Sequence, residues 1–345
     1  MFNSVPLVQV IRGSRLEAVY RGAMAVVDAR GQLIASVGDA NLTTFLRSSA
    51  KPFQLLPLVE SGAADRLGFS DRELAVMAAS HNGEEFHVQA VVGILARLGL
   101  DESALQCGAH PPLHPPSARA LENAQQRPSA LHNNCSGKHS GMLAQCVDRH
   151  LPIADYVSPQ HPVQVTIKQT LAELAGMSPD SIDVGTDGCS VPTFALSLSV
   201  AALAFARLAD PSTLSEPRRS ALRRIASAMM AYPEMVAGTK RLDTDVMRAG
   251  KGRIVVKGGA EGYYGIGILS SPGLGVAIKM EDGDGGRGRN AVVVEALRQL
   301  GALDDEELAS LARYAAGPMK NHRGLTVGEV RPCFRLPLQN ESGVK

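Results

Sequence analysis

The sequence predicts an α/β protein in which strands from both ends of the chain share one antiparallel sheet and a mostly helical stretch is inserted between them. Three observations carry this. Residues 5–37 read as β-rich runs, the stretch from about 46 to 251 repeats apolar residues at helical spacing, and strand-like runs return after Gly252. The expected division is one catalytic unit over 1–345. Residues 1–45 and 252–340 form its sheet part with a terminal helix, and 46–251 form a helical part.

At the N-terminal end, Leu7-Val8-Gln9-Val10-Ile11-Arg12 and Ala23-Met24-Ala25-Val26-Val27-Asp28 are strands. Asp28-Ala29-Arg30-Gly31 is a turn, and 33–37 is the returning arm of a hairpin. Residues 71–79 form a helix with Ser70 as its N-cap, and 86–98 a second helix closed by Gly99. The proline- and histidine-rich stretch 107–116 has neither helical nor strand period. The polar stretch 131–141 is a turn that leads into a helix from about 138 to 147. The next, 162–175, has proline at its start and Gly176 after its end. Residues 182–189 are extended and enter a glycine turn, and helices follow at 194–207 and 217–230. Strands at 253–257, 262–269 and 274–279 form a meander. Helices at 289–300 and 305–314 and a strand near 329–335 complete the chain.

Composition narrows the function. Hydrophobic residues make up 45% of the 345, enough for a sizeable core. A net charge of +1 gives no electrostatic reason for a nucleic-acid or membrane partner, and 4% aromatics without tryptophan make base-stacking platforms a poor expectation. The first twenty residues carry Arg12, Arg15 and Glu17 and lack the apolar core of a signal peptide. No run reaches the roughly 18 apolar residues of a membrane span, and 191–206 reads as a buried helix. Five scattered cysteines without C-x-x-C point to reduced thiols in the cytoplasm.

The chemistry starts at Arg47-Ser48-Ser49-Ala50-Lys51-Pro52. Ser48 and Lys51 are three residues apart, which on a helix sets them on one face. Pro52 belongs in a first turn, so Ser48 lies at the helix mouth, where N–H groups and the dipole favour an alkoxide. A neutral lysine amine beside a serine takes its proton and makes it a nucleophile. An N-capping serine with an exposed lysine gives the same pattern. Two further motifs bear on the choice: Ser80-His81-Asn82 after a helical run, and Lys257-Gly258-Gly259 after the strand Ile254-Val255-Val256. The order S-x-x-K, S-x-N, K-x-G resembles that of the serine β-lactamases and penicillin-binding proteins, with His81 where they have Asp and Gly258 where they have Thr. In that arrangement Lys257 sits on a strand facing the helix that starts near Ser48. Arg47 is a candidate for carboxylate recognition or, equally, one half of an ion pair.

Cys135 and Cys189 both sit in glycine-bearing polar turns, one with Lys138 three residues on, the other after Asp187-Gly188. They are candidates for a metal or for thiolate chemistry, or are two unrelated buried thiols. His110 and His114 have a metal-pair spacing, but the prolines between them exclude a helix. Gly283-Asp284-Gly285-Gly286-Arg287-Gly288 lacks the order of a phosphate loop and reads as a turn.

Together the blocks at 47–54, 80–84, 132–139, 187–189 and 257–262 resemble the Rhizobium etli type of L-asparaginase, also called class 3, from about residue 5 to about 335. The resemblance implies a penicillin-binding-like fold, a homodimer, and hydrolysis of L-asparagine to L-aspartate and ammonia. It implies two Ser-Lys pairs, Ser48 with Lys51 and Ser80 with Lys257. It also implies one zinc per subunit, held by Cys135, Lys138 and Cys189 with water. Asp187 and His139 match polar residues around that site. Arg47, Asn82, His139, Asp187, Gly258 and Gly259 are the expected substrate-binding residues. On this reading Ser48 attacks the amide with Lys51 as base, and Ser80, backed by Lys257, relays a proton to the ammonia. A glutaminase, a β-lactamase or a non-catalytic amino-acid or peptidoglycan-fragment binder are the alternatives.

Overall fold

The computed structural model describes residues 3–338; residues 1–2 and 339–345, which the expected division includes, lie outside the described residues. In chain order the strands are β1 (Val5–Arg12), β2 (Arg15–Asp28), β3 (Leu33–Val37), β4 (Thr43–Phe45), β5 (Asp183–Thr186), β6 (Pro192–Ser197), β7 (Ile254–Gly258), β8 (Tyr263–Ile268), β9 (Leu274–Met280), β10 (Gly317–Lys320) and β11 (Thr326–Pro332). The helices are α1 (Lys51–Glu60), α2 (Ala63–Arg66), α3 (Asp71–Met77), α4 (Glu85–Arg97), α5 (Pro115–Asn123), α6 (Ser136–Asp148), α7 (Pro162–Ala175), α8 (Leu198–Ala209), α9 (Arg218–Ala231), α10 (Pro233–Val236), α11 (Leu242–Ala249), α12 (Arg287–Gln299) and α13 (Asp305–Ser310).

Two compact units result, one of residues up to 44, 196–210 and 249 onward, the other of 45–195 and 211–248. The first is the predicted sheet. Its strand order is β10-β11-β1-β2-β9-β8-β7 with β3 on β2, and the pairings are antiparallel. Val10 faces Val330, so the two ends of the chain are neighbours. Every residue of β8 is buried, as are all but the first of β9. Successive side chains of a strand point to opposite faces, so both faces are covered there. α8 lies directly on this sheet: a Cβ at Gly275 would come within 1.8 Å of the Ala202 carbonyl oxygen, so only glycine allows the approach.

The reading of 46–251 as one helical part therefore differs at 196–210, which belong with the sheet. The helix expected over 194–207 differs too. Residues 192–197 form β6, and α8 begins only after Ser197, whose hydroxyl accepts the Val200 N–H at 3.3 Å. A short apolar run satisfies both periods, and the cap decides the boundary. The helix expected to reach 314 stops at Ser310, α5 already starts at Pro115, and the last strand is β11 rather than 329–335, with β10 beside it.

The second unit is mostly helical and also holds β5 and most of β6, which pair in a small sheet with the order β4-β6-β5. α1 is buried from Lys51 through Val59 and packs against α6, α7 and α9. A helix apolar on every side belongs in the middle of a bundle. Ser70 and Glu73 close the predicted cap on α3 as a reciprocal box, and α7 runs from Pro162 to a left-handed Gly176 at φ 69°. At Gly137 a Cβ would meet the Val76 carbonyl oxygen at 2.1 Å, so the start of α6 lies against the end of α3. This contact sets the 133–139 stretch beside the 79–82 stretch. No helix among the described residues is long and apolar enough to cross a membrane.

Candidate active site

The helical unit assembles most of the predicted site residues. Arg47–Ala50 form a single 3-10 turn that runs straight into α1, so Ser48 does lie at a helix mouth. Arg47 opens it in the left-handed region, φ 50°, and Ser190, next to Cys189, has φ 77°. Non-glycine residues held there are over-determined by their surroundings and cluster at functional sites.

Lys51 is fully buried. Its Nζ donates to Ser80 Oγ at 2.8 Å, to the Ala79 carbonyl at 2.5 Å and to the Asn134 carbonyl at 3.4 Å. The pairing thus differs from the one expected: Lys51 binds Ser80, and Ser48 Oγ has no hydrogen-bond partner among the described residues. An ammonium has three N–H groups, and the 79–80 and 134 stretches offer three acceptors for them where Ser48 offers one. Burial pulls the Lys51 pKa below the ordinary lysine value. Lys138 pulls it the same way, while Cys135 opposes.

Next to this pair stand Cys135, Lys138 and Cys189. Cys135 caps α6, and Lys138 lies one turn into it. Lys138 Nζ donates to Cys189 Sγ at 2.8 Å. The Cys135 thiol is drawn well below its ordinary value. A hydrogen bond from Cys189 does most, and Lys51 and Lys138 add to it against burial. Cys189 is pushed up by the same bond and stays a thiol. For Lys138 burial is the largest influence and lowers the pKa, but Cys135, Cys189 and Asp187 together outweigh it and hold it raised.

Asp187 takes Arg47 at 3.0 Å from Nε and 2.9 Å from Nη2. Burial would raise this carboxyl, but Lys138, the Gly188 N–H and Arg47 hold it below the usual range. Of the two readings of Arg47, the ion pair is the one present, and it lies beside Lys138. His139 is fully buried and its Nδ1 accepts from the Tyr156 hydroxyl at 2.7 Å, which in turn accepts the Gln106 N–H at 2.9 Å. Nε2 of His139 is left without a hydrogen bond among the described residues. Desolvation, then Lys138 and Lys51, keep this imidazole neutral.

Asn82 is occupied by protein partners. Its Oδ1 accepts from Arg241 at 2.7 Å, and its Nδ2 donates to the Thr239 carbonyl at 3.2 Å and Glu84 Oε1 at 3.4 Å. His81 Nε2 donates to Ser136 Oγ at 2.9 Å while its Nδ1 accepts the Gly83 N–H, which joins the 80–83 loop to α6. These partners lie up to 159 residues away and left no spacing signal. Lys257, Gly258 and Gly259 belong to the sheet unit. Lys257 is fully buried on β7 with its Nζ on the Gly258 carbonyl at 2.8 Å, and the Gly259 N–H reaches the Tyr263 carbonyl at 2.9 Å.

Among sequence families, the one described as L-asparaginase II matches residues 8–332. The chain belongs to that family. No curated protein matches it. Of solved structures, the protein called Mglu in its native form is 14% identical at TM-score 0.43 over 80% of this chain and 60% of its own. A Bacillus glutaminase is 12% identical at 0.39 over 82% and 91%. A β-lactamase from Mycobacterium bovis is 14% identical at 0.40 over 85% and 95%. The chain thus spans about 60% of the length of the Mglu structure. For a member of the L-asparaginase II family, the residues that stand out are the buried serine–lysine pair and the sulfur–amine cluster beside it.

The two thiols and the Lys138 amine form a soft, nitrogen- and sulfur-bearing donor set in one buried spot, which suits zinc. Among the described residues no group of three or more His, Cys, Asp or Glu stands together; only two of these three donors are of that kind. Lys138 would have to give up its proton to bind.

Proposed function

We propose that the protein is an amidohydrolase of the Rhizobium etli L-asparaginase type that converts L-asparagine and water to L-aspartate and ammonia. Membership of the L-asparaginase II family supports amide hydrolysis. The observation that carries the mechanism is the 2.8 Å bond between Lys51 Nζ and Ser80 Oγ in a site where Lys51 is fully buried. An amine kept from water loses its charge more readily, and here burial outweighs the opposing pull of Cys135. Neutral Lys51 takes the Ser80 proton as Oγ attacks the side-chain amide carbon. The tetrahedral intermediate collapses with the C–N bond breaking, Lys51 returns the proton to the leaving nitrogen, and ammonia departs. Water, deprotonated by the same amine, then cleaves the aspartyl ester and frees Ser80. Arg47, set by Asp187, is a binding residue for the substrate's carboxylate, with His139 and Asn82 as further members of the substrate site.

A second reading keeps Ser48 as nucleophile, favoured by its unpartnered hydroxyl at the helix mouth. Ser80→Ala and Ser48→Ala, assayed for ammonia from asparagine and from glutamine, separate the two. The expected result is a loss of about 10³-fold or more in Ser80→Ala and a smaller one in Ser48→Ala. The reverse order moves the nucleophile, and faster turnover of glutamine makes the enzyme a glutaminase. Absence of ammonia from both amides ends the amidase reading.

Cys135, Lys138 and Cys189 would hold one zinc per subunit. When bound, the metal would supply a Lewis-acidic charge for the substrate's α-carboxylate or α-amine. Elemental analysis of purified protein tests this apart from activity, with about one zinc per chain expected and none in a Cys135→Ser, Cys189→Ser double variant. The reading extends to a cytoplasmic homodimer. All five cysteines are free thiols, as a reducing compartment requires, and light scattering reports the mass in solution.

A further inference from the structure

The loop at 107–114, whose proline- and histidine-rich sequence had no part in the reaction above, joins two stretches of the site. At one end it holds 133–135. Asn133 Nδ2 donates to the Cys107 and Gly108 carbonyls at 2.8 and 3.1 Å, and the Asn134 N–H donates to His110 Nε2 at 3.0 Å. At the other end the His114 N–H donates to the Asn82 carbonyl at 3.1 Å. Between the two histidines stand Pro111 and Pro112, which fix the backbone and lower the entropy lost on ordering it.

His110 is the residue in this loop that reaches toward the reacting groups. Its Nδ1 lies 2.7 Å from the Pro111 carbonyl and therefore carries the proton, leaving Nε2 as the acceptor for Asn134. The carbonyl of that same Asn134 accepts from Lys51 Nζ at 3.4 Å and from the His81 N–H at 3.2 Å. One residue's backbone is thus held on its N–H side by His110 and on its carbonyl side by the catalytic amine and the main chain just after Ser80.

We propose that His110 is a positioning residue for the Lys51–Ser80 pair, acting through the Asn134 backbone. The proposal rests on the reading of that pair as the reacting one. Without the imidazole acceptor, the Asn134 N–H must find water or turn. Its carbonyl turns with it, and Lys51 loses one of the three oxygens that aim its amine. Displacements of this size in a catalytic group cost large factors in turnover and little in binding.

The test compares three substitutions. The amide end of glutamine reaches the place of an imidazole Nε2, whereas that of asparagine reaches only the place of Nδ1. Expected for His110→Ala and His110→Asn is a kcat lower by about 10- to 100-fold with KM within about threefold of the parent. His110→Gln is expected to keep kcat within about fivefold, because its side-chain oxygen accepts the Asn134 N–H. Normal kcat in His110→Ala, or equal losses in the Gln and Asn variants, overturns the proposal. Hydrogen exchange of the peptide spanning 133–136 gives a readout that needs no activity. It should quicken in the Ala and Asn variants and stay slow in the Gln variant, and unchanged exchange in all three also overturns it. A parent enzyme that releases no ammonia from asparagine or glutamine refutes the amidase reading alone, and the exchange experiment still decides whether His110 holds Asn134.

Discussion

Lys51 and Lys138 are both buried to 3% exposure or less in the same helical unit, yet their surroundings shift their pKa values in opposite directions. Around Lys51 stand two backbone carbonyls and a serine hydroxyl; Cys135 raises its pKa, but burial is the larger influence and, with Lys138 added, brings the pKa down. Lys138 has a sulfur at 2.8 Å and the negative groups Cys135 and Asp187 near it, and its pKa rises. Desolvation penalises a charge in both places, and only a partner of opposite charge repays it. The difference teaches that the balance between burial and neighbouring charge sets the direction in which a buried lysine's pKa moves.

The largest effect that breaks or upholds this contrast is that of Lys51→Met. Methionine fills much of the lysine stem's space and has no amine. Turnover of asparagine should fall about 10³- to 10⁴-fold, as when a general base is removed from its nucleophile. Stability in urea should hold or rise, because the desolvation cost of the amine is removed while Cys135 keeps Cys189 and Lys138 as partners. Turnover within tenfold of the parent would show that the amine at this position is not the base.

Lys138→Met is the opposite case. It removes a cation from beside Cys135, Cys189 and Asp187, leaving Arg47 as the cation hydrogen-bonded to that carboxylate. Stability should drop by about 3 kcal/mol, the usual cost of breaking a buried pair from one side. The zinc content should fall with it. A urea midpoint unchanged from the parent would mean that the thiols and Asp187 are uncharged in the folded protein, and the two lysines would then not differ in kind.

How much of this is legible in the sequence follows from the range of the interactions. The sheet is readable because strand periods at both ends of the chain are local, and so are the Ser70 cap and the Pro162 and Gly176 ends of α7. The S-x-x-K spacing points to the right lysine and to a helix mouth. It does not reveal the Ser80 partner, which lies 29 residues from Lys51 and meets it because α3 and α6 deliver the 79–80 and 134 stretches together. Asn82 looks like an open ligand in a motif, but its Arg241 and Thr239 partners come from a segment with no sequence mark. The prolines between His110 and His114 exclude a helix there, as the structure shows, and the same prolines make His110 a rigid brace. β6 went unread because six buried residues in a row fit a strand and a helix alike.

The smallest expected effect extends the contrast to a third base. His87 is fully buried, its Nε2 donates to the Glu234 carbonyl at 2.8 Å, and its Nδ1 accepts the Glu84 N–H at 3.2 Å. Both contacts are to main-chain groups without charge, and, as at Lys51, burial is the largest influence; it brings the pKa down to about 4. The unfolded chain takes up this proton near pH 6.5 and the folded one only near 4, so between those values the unfolded state binds more protons. The stability His87 contributes is therefore complete above about 6.5 and is lost as pH falls toward 4. At pH 4.5 the loss amounts to about 2 kcal/mol from this group. Other groups also titrate in that range, so the informative quantity is a difference. His87→Gln, which cannot take up a proton, should lose about 2 kcal/mol less than the parent between pH 7 and pH 4.5 when both are unfolded in urea. Parallel curves for the two proteins would mean that His87 is charged in the fold, and that neutral main-chain partners do not by themselves keep a buried base neutral.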